Sequence, residues 1–115
     1  MSSQFDDKVD QIRNRFVQRT AGDLNRLQSL MALLETSDPG PAIDAIRRMG
    51  HSLAGAAGTF GYSDLAAAAD AVEMEAAAVQ RSGQSDMLAL QECCKRLRSE
   101  VQFLVGPPAG EQHKP

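Results

Sequence analysis

Aromatic residues are scarce in this chain, and tryptophan is absent from it. Phe and Tyr together make up 4 % of the 115 residues, whereas alanine occurs 17 times. Because β-sheets favour aromatic and β-branched side chains, this composition disfavours a sheet-based domain and favours closely packed helices. Hydrophobic residues reach 43 %, which is enough for a packed core and too many for a disordered chain. The length gives room for one domain.

The chain also lacks the features that mark several other classes of protein. No apolar run approaches the roughly 18 residues of a membrane span, and the N-terminus has no basic and apolar signal segment. A net charge of −3 argues against a bulk nucleic-acid binder, which would carry a basic patch. Cys93 and Cys94 are adjacent and form no disulfide framework. We therefore expect a monomeric, cytoplasmic, all-helical domain with neither nucleic-acid nor membrane partners.

Apolar residues recur at helical spacing along most of the chain. Glycine, serine or proline interrupts the pattern at residues 36–41, 60–64 and 81–85. The pattern predicts four main helices, and the short loops between them favour an antiparallel up-and-down bundle. The predicted stripes outside the second helix are Phe5, Val9, Ile12 and Phe16; Leu24, Leu27, Met31 and Leu34; Leu65, Ala69, Val72, Ala76 and Val79; and Leu90, Cys94, Leu97, Val101 and Leu104.

The two N-terminal stripes are out of phase by about a quarter turn of a helix. A break near residues 20–23, with Asp23 as the cap of a second helix, would reconcile them, and so would one continuous curved helix. We expect the bundle over residues 1–105, with this N-terminal helix either additional or continuous. Residues 106–115 lack an apolar pattern and are expected to form a disordered tail. The predicted helix caps are Ser63, Gly83 and Ser85.

The helix expected from about Pro41 to Thr59 has two contrasting faces, and His51 lies at the centre of the polar one. His51 therefore points away from the core, and we expect its side chain to be exposed. The opposite, apolar face comprises Ile46, Met49, Leu53, Ala56, Ala57 and Phe60. The face around His51 comprises Asp44, Arg47, Arg48, Ala54, Gly55 and Gly58.

Two glycines on the His51 face need an explanation, since each glycine inside a helix costs about 1 kcal/mol relative to alanine. Gly55 and Gly58 lie one and two turns beyond His51, on the wrong side for packing against a neighbouring helix. Small residues beside an exposed imidazole leave space for a bulky group to approach it. An incidental surface histidine is the alternative interpretation.

An exposed imidazole can be a metal ligand, a general base or a nucleophile. The other histidine, His113, lies in the expected tail, and the chain has no spaced Cys/His set for a metal. A general base needs a pocket and an orienting carboxylate, and Glu73 is interpreted here as part of a solvated helix flank. A nucleophile attacking a phosphoryl group needs open access and nearby positive charge. Arg47 and Arg48, one turn before His51, would supply that charge, or they are simply a solubilising pair.

The segment from His51 to Gly61 resembles the active helix of histidine-containing phosphotransfer (Hpt) domains. That family has a histidine, a leucine two positions later, a glycine four later and another glycine ten later. Here these are His51, Leu53, Gly55 and Gly61. The positions that follow in the family pattern are matched by Leu65, Val72 and Glu73.

The resemblance implies a four-helix bundle in which His51 accepts a phosphoryl group through a ring nitrogen, usually Nε2. The donor would be an aspartate in the receiver domain of a hybrid sensor histidine kinase, and the acceptor a response regulator receiver. The chain would be a phosphocarrier without kinase activity or an intrinsic cofactor, and Mg²⁺ would come with the receiver. Gly55 matches the glycine that leaves room for the receiver, and Gly61 matches the glycine of the turn that ends the helix.

One departure from the family pattern concerns the position three residues after the histidine, where the family commonly has lysine. Here it is Ala54, and Arg47 or Arg48 is expected to substitute for the missing charge. The departure also keeps a second interpretation open, an Hpt-like module that docks a receiver or a sensor kinase without accepting phosphate. A plain helical interaction protein is the third.

Overall fold

The computed structural model of the chain describes residues 2–82 and 87–106. Almost all of these residues are helical, and none of them is in a strand. The helices are α1 (Ser2–Leu33), α2 (Gly40–Thr59), α3 (Ser63–Ser82) and α4 (Met87–Val105). None of these helices is both long and apolar enough to cross a membrane. Predictions that fall outside the described structure concern the side chain of Phe5, the caps Gly83 and Ser85, and residues 107–115.

The four helices form a ring in which each one packs against two others. Helix α2 packs on α1 and α3, and helix α4 packs on the same two, so α2 and α4 are diagonal to each other within the described residues. Asp44 and His51 of α2 bond to Gln80 and Glu73 of α3, respectively, so these two helices run antiparallel. The predicted all-α four-helix bundle is confirmed.

Helix α1 runs unbroken through the region where the sequence left a choice between one helix and two. Thr20 is fully buried there, and its Oγ1 donates a hydrogen bond to the carbonyl oxygen of Phe16 at 2.7 Å. Because this bond satisfies the hydroxyl inside the bundle, Thr20 takes a core position and connects the two apolar stripes. Asp23 lies inside the helix, so the alternative in which it caps a second helix is wrong.

The first turns of α1 extend beyond the bundle. At 1.5 Å per residue α1 is about 48 Å long, whereas α2 and α3 are about 30 Å each. Within the described side chains of α1, burial begins at Phe16, and Ile12 is 51 % exposed. The first predicted stripe therefore contributes to the core only at its C-terminal end.

The stripes predicted for the other helices form the core. The α3 stripe is buried at every position, and the α4 stripe at every position except Leu104, which is half-buried. In α2, Ala56 and Phe60 are half-buried and the rest of the stripe is buried. Cys94 belongs to this core, where burial raises the pKa of its thiol to about 12 and keeps it protonated. The buried alanines are Ala42, Ala57, Ala68, Ala69 and Ala76.

The turn between α2 and α3 is a Schellman motif built around Gly61. Its φ of +80° lies in the left-handed region, which glycine adopts without a steric penalty. The N–H of Tyr62 donates to the carbonyl oxygen of Ala57 at 2.9 Å, which closes the end of α2. The N–H of Ala66 then bonds to the oxygen of Tyr62. Tyr62 is therefore the N-cap of α3, and the prediction that Ser63 has this role is wrong by one residue.

Candidate functional site

His51 lies near the middle of α2 on its solvent face. Its side chain is 76 % exposed, while Met49 and Leu53 are buried on the other side of the helix. The exposed position predicted from the helical pattern is confirmed. The imidazole is therefore open to another molecule while its backbone is held by a helix packed along its whole length.

Gly50, immediately before His51, lets α2 approach α3 closely. A Cβ atom at this position would lie 2.8 Å from the carbonyl oxygen of Ala69 and 3.1 Å from the backbone nitrogen of Glu73. Both neighbours are backbone atoms of α3, which cannot move aside as a flexible side chain would. Only glycine at position 50 therefore allows the short distance between α2 and α3 beside His51. The helical wheel did not single out this glycine.

Glu73 is the closest described polar partner of His51. Its Oε2 lies 2.9 Å from Nδ1 of the imidazole, and the Glu73 side chain is only 27 % exposed. The interpretation of Glu73 as part of a solvated flank is therefore wrong.

The contact between His51 and Glu73 decides which ring nitrogen carries the proton. An ionised carboxylate only accepts hydrogen bonds, so Nδ1 of His51 must be the donor. In the neutral ring Nε2 is then left with its lone pair. Nε2 is therefore the ring atom available to bond another molecule, and a carboxylate at Nδ1 favours a positive charge on the ring.

The space beyond His51 is open, as the small residues suggested. An added Cβ at Gly55 or at Gly58 would meet no atom within 4 Å, and both glycines are exposed. Their predicted position away from the neighbouring helices is confirmed. Ala54 is half-buried against the core and brings no charge to this face.

Arg47 and Arg48, which lie one turn before His51, both bond to Asp44. Arg47 Nη2 lies 3.1 Å from Asp44 Oδ1, and Arg48 bonds to the other carboxylate oxygen. Gln80 of α3 donates to Asp44 as well. Hydrogen bonds from Arg48, Arg47 and Gln80 lower the pKa of Asp44, so the carboxylate stays ionised and offsets part of the arginine charge.

Arg19 of α1 is a further cation beside the site, and no motif in the sequence indicated it. Its Nη2 donates a hydrogen bond to the hydroxyl of Ser52 at 2.6 Å. Ser52 directly follows His51 on α2. The side of His51 that faces α1 thus has a guanidinium group bonded to a neutral partner, whereas the side that faces α3 has the carboxylate of Glu73.

The described residues predicted for the site therefore share one face of α2, Glu73 of α3 completes the site, and Arg19 of α1 lies outside it, bonded to Ser52. The model of one protein family, described as the Hpt domain, matches residues 11–102. Neither the curated proteins nor the solved structures contain a match to the chain. Because the family match covers most of the 115 residues, the chain belongs to the Hpt domain family, whose members carry phosphoryl groups on histidine in phosphorelays and have receiver domains as partners.

Proposed function

We propose that this chain is a free-standing, cytoplasmic histidine phosphotransfer protein in which His51 carries the phosphoryl group. The group comes from an aspartate in the receiver domain of a hybrid sensor kinase and passes to a response regulator receiver. The observation that supports this assignment is the hydrogen bond between His51 Nδ1 and Glu73 Oε2, because it leaves Nε2 free, exposed and nucleophilic.

The transfer step needs no cofactor bound to this chain. The lone pair of His51 Nε2 attacks the phosphorus of the aspartyl phosphate, a P–N bond forms, and the P–O bond to the aspartate breaks. The aspartate leaves as a carboxylate, and Mg²⁺ bound by the receiver balances the charge of the phosphoryl oxygens. The imidazole becomes cationic, and Glu73 holds its Nδ1–H throughout. Attack by the next receiver's aspartate reverses the step.

The remaining predicted residues have supporting roles in this proposal. Ala54, Gly55 and Gly58 leave the approach to Nε2 open for the receiver surface. Arg47 and Arg48 add positive charge one turn away, and Asp44 holds both guanidinium groups in place.

The test is incubation of the chain with a phosphorylated receiver and Mg²⁺. Label is expected on the wild-type chain, in an acid-labile and alkali-stable form, and is expected to disappear in His51→Gln. The matched control is His113→Gln, which removes the other histidine of the chain and should label like wild type. Label that survives His51→Gln, or no label from any of a panel of receivers, would contradict the proposal.

A second candidate function is an Hpt-like module that docks a receiver or a sensor kinase and regulates it without accepting phosphate. The observation that favours it is Ala54, an uncharged residue where the family commonly has lysine. Docking that is unchanged in His51→Gln, together with no labelling of the wild-type chain, would establish this alternative.

A further inference from the structure

A groove of about 300 Å³ lies between α1 and α2 and includes Ser52, the residue that follows His51. We call it the arginine groove. Three of its lining residues are arginines, and its one acidic residue belongs to α1. The polar and charged lining comprises Arg19, Asp23 and Arg26 from α1 and Arg48 and Ser52 from α2.

The charge of the arginine groove contrasts with that of the whole chain. The lining has three arginines and one aspartate, a net charge of +2, whereas the chain has a net charge of −3. Burial raises the pKa of Asp23, and charge attraction from Arg19 and Arg26 offsets part of this effect. The groove is thus a positive depression on an acidic molecule, and it adjoins the nucleophilic residue.

Two arginines of the groove, Arg19 and Arg26, have no salt bridge to a described residue and attract Asp23 only at longer range. Arg19 bonds to the neutral hydroxyl of Ser52, and Arg26 is exposed. Arg48 differs from them, because it bonds to Asp44. Arg19 and Arg26 can therefore bind an external anion without breaking an existing salt bridge.

We propose that the arginine groove is the surface on which the receiver domain docks its acidic side chains while its phosphorylated aspartate faces His51. This inference rests on the proposed function. An aspartyl phosphate is an anion, and a divalent cation beside it is held by further carboxylates. An acidic chain repels such a partner at long range, so a local patch of opposite charge next to His51 is needed to attract and orient it.

The opposite flank of His51 does not suit an acidic partner. The residue there is Glu73, and the adjoining exposed positions of α3 are Asp70, Met74 and Ala67. Acidic side chains of a receiver placed over α3 would face the carboxylates of Glu73 and Asp70. Over α1 they would meet the guanidinium groups of Arg19 and Arg26. The charge difference between the two flanks therefore fixes the orientation of the receiver as well as its location.

The experiment measures single-turnover transfer from a phosphorylated receiver to His51 over a range of receiver concentrations, at low and high salt. The test variant is Arg19→Glu/Arg26→Glu. The matched control is Lys95→Glu/Arg96→Glu, which makes the same change in net charge at exposed positions of α4, the helix diagonal to α2. Phosphoramidate, a small donor that needs no docking surface, reports separately on the reactivity of His51.

In the Arg19/Arg26 variant the receiver concentration for half-maximal rate should rise about tenfold or more, because like charges then meet at the interface. The maximal rate and the phosphoramidate reaction should stay unchanged, and the Lys95/Arg96 variant should stay within about twofold of wild type. High salt should raise the half-maximal concentration for wild type and narrow the gap between wild type and the test variant. The milder Arg19→Ala/Arg26→Ala pair repeats the measurement if the reversal disturbs folding.

Equal effects of the α1 and α4 variants would overturn the docking site, since only the net charge of the chain would then matter. A phosphoramidate reaction that slows in the folded Arg19/Arg26 variants would also overturn it, because the arginines would then act on His51 itself. Failure of the proposed function looks different. In that case wild type accepts no label from any receiver, although phosphoramidate labels His51.

Discussion

The two flanks of α2 on either side of His51 are built in opposite ways. Toward α3 the helices are so close that a Cβ atom at Gly50 would collide with the backbone, and a half-buried carboxylate bonds to the imidazole. Toward α1 the flank opens into a groove lined by arginines, where Arg19 reaches across to Ser52. The first flank is tight and fixes His51, while the second is open and available to a partner.

The comparison shows how a small bundle can expose an imidazole and still fix its orientation. The orientation of the imidazole and its proton come from inside the molecule, through Glu73. On the outer side of Nε2 the exposed glycines Gly55 and Gly58 leave open space, so a partner would supply the groups that surround this atom. Changes on the α3 flank should therefore alter the chemistry of His51, whereas changes on the α1 flank should alter only the recognition of the partner.

Removing the carboxylate on the α3 flank should have the largest effect on phosphoryl transfer. Glu73→Ala should slow phosphoryl transfer by about 10- to 100-fold, the usual effect of losing the partner that orients a functional histidine. The imidazole then has no fixed tautomer, and Nε2 carries the proton in part of the molecules. Nitrogen NMR shifts of the His51 ring should report this redistribution, which a merely structural role for Glu73 would not produce.

Glu73→Gln is the control that separates geometry from charge. Its amide oxygen can still accept from Nδ1, so the tautomer should be kept while the negative charge is lost. A rate between those of wild type and Glu73→Ala is expected. Wild-type transfer in Glu73→Ala would show that the His51–Glu73 bond has no part in the reaction.

A substitution at Gly50 tests the close contact between α2 and α3. Gly50→Ala should lower the free energy of unfolding by about 1–2 kcal/mol, because forcing a methyl group against fixed backbone outweighs the better helix propensity of alanine. Gly55→Ala, one turn away in open space, should raise it by up to about 1 kcal/mol. Urea unfolding of the two variants measures both. If the two changes had the same sign, the difference between the flanks would not be steric.

The smallest expected effect concerns Asp44, at the end of the site farther from Gly61. Arginine bonds lower its pKa in the folded chain, so its carboxylate stabilises the fold above the ordinary pKa of 3.8 and loses this effect as the pH falls through the folded-state value. Asp44→Asn should therefore be slightly less stable than wild type at neutral pH and equal to it in strong acid. Unfolding curves at the two pH values measure this, and a difference that persists in acid would exclude the charge as its cause.

Most of the core could be predicted from the sequence, because apolar spacing within one helix reports which side of that helix is buried. The α3 stripe and the exposure of His51 followed from spacing alone. The continuity of α1 did not, because it depends on the buried hydroxyl of Thr20 finding a partner in the Phe16 carbonyl. The periodicity of apolar residues does not register a polar residue in a core position.

Contacts between two helices were harder to predict than the buried face of one helix. They depend on how far the helices are offset along each other and how far apart they lie. Arg19 meets Ser52 only because α1 has one particular offset along α2, and no residue in either helix encodes this offset by itself. The His51–Glu73 contact did leave a signal. Both residues lie 11 positions from Tyr62 in the turn, and Asp44 and Gln80, which also bond, both lie 18 positions from it. In two antiparallel helices joined by a short turn, residues at equal distances in sequence from the turn lie opposite each other, and this rule would have paired His51 with Glu73.

Because of that symmetry, the Schellman turn at Gly61 helps to set the alignment of Glu73 with His51, which lies ten positions before the turn. An extra residue within α3 between the turn and Glu73 would move Glu73 by about 100° around the helix axis and off the face that meets His51. Surface loops normally tolerate insertions well. Here the number of residues between the turn and each partner sets the alignment of His51 with Glu73, so insertions and deletions between the two residues should be poorly tolerated.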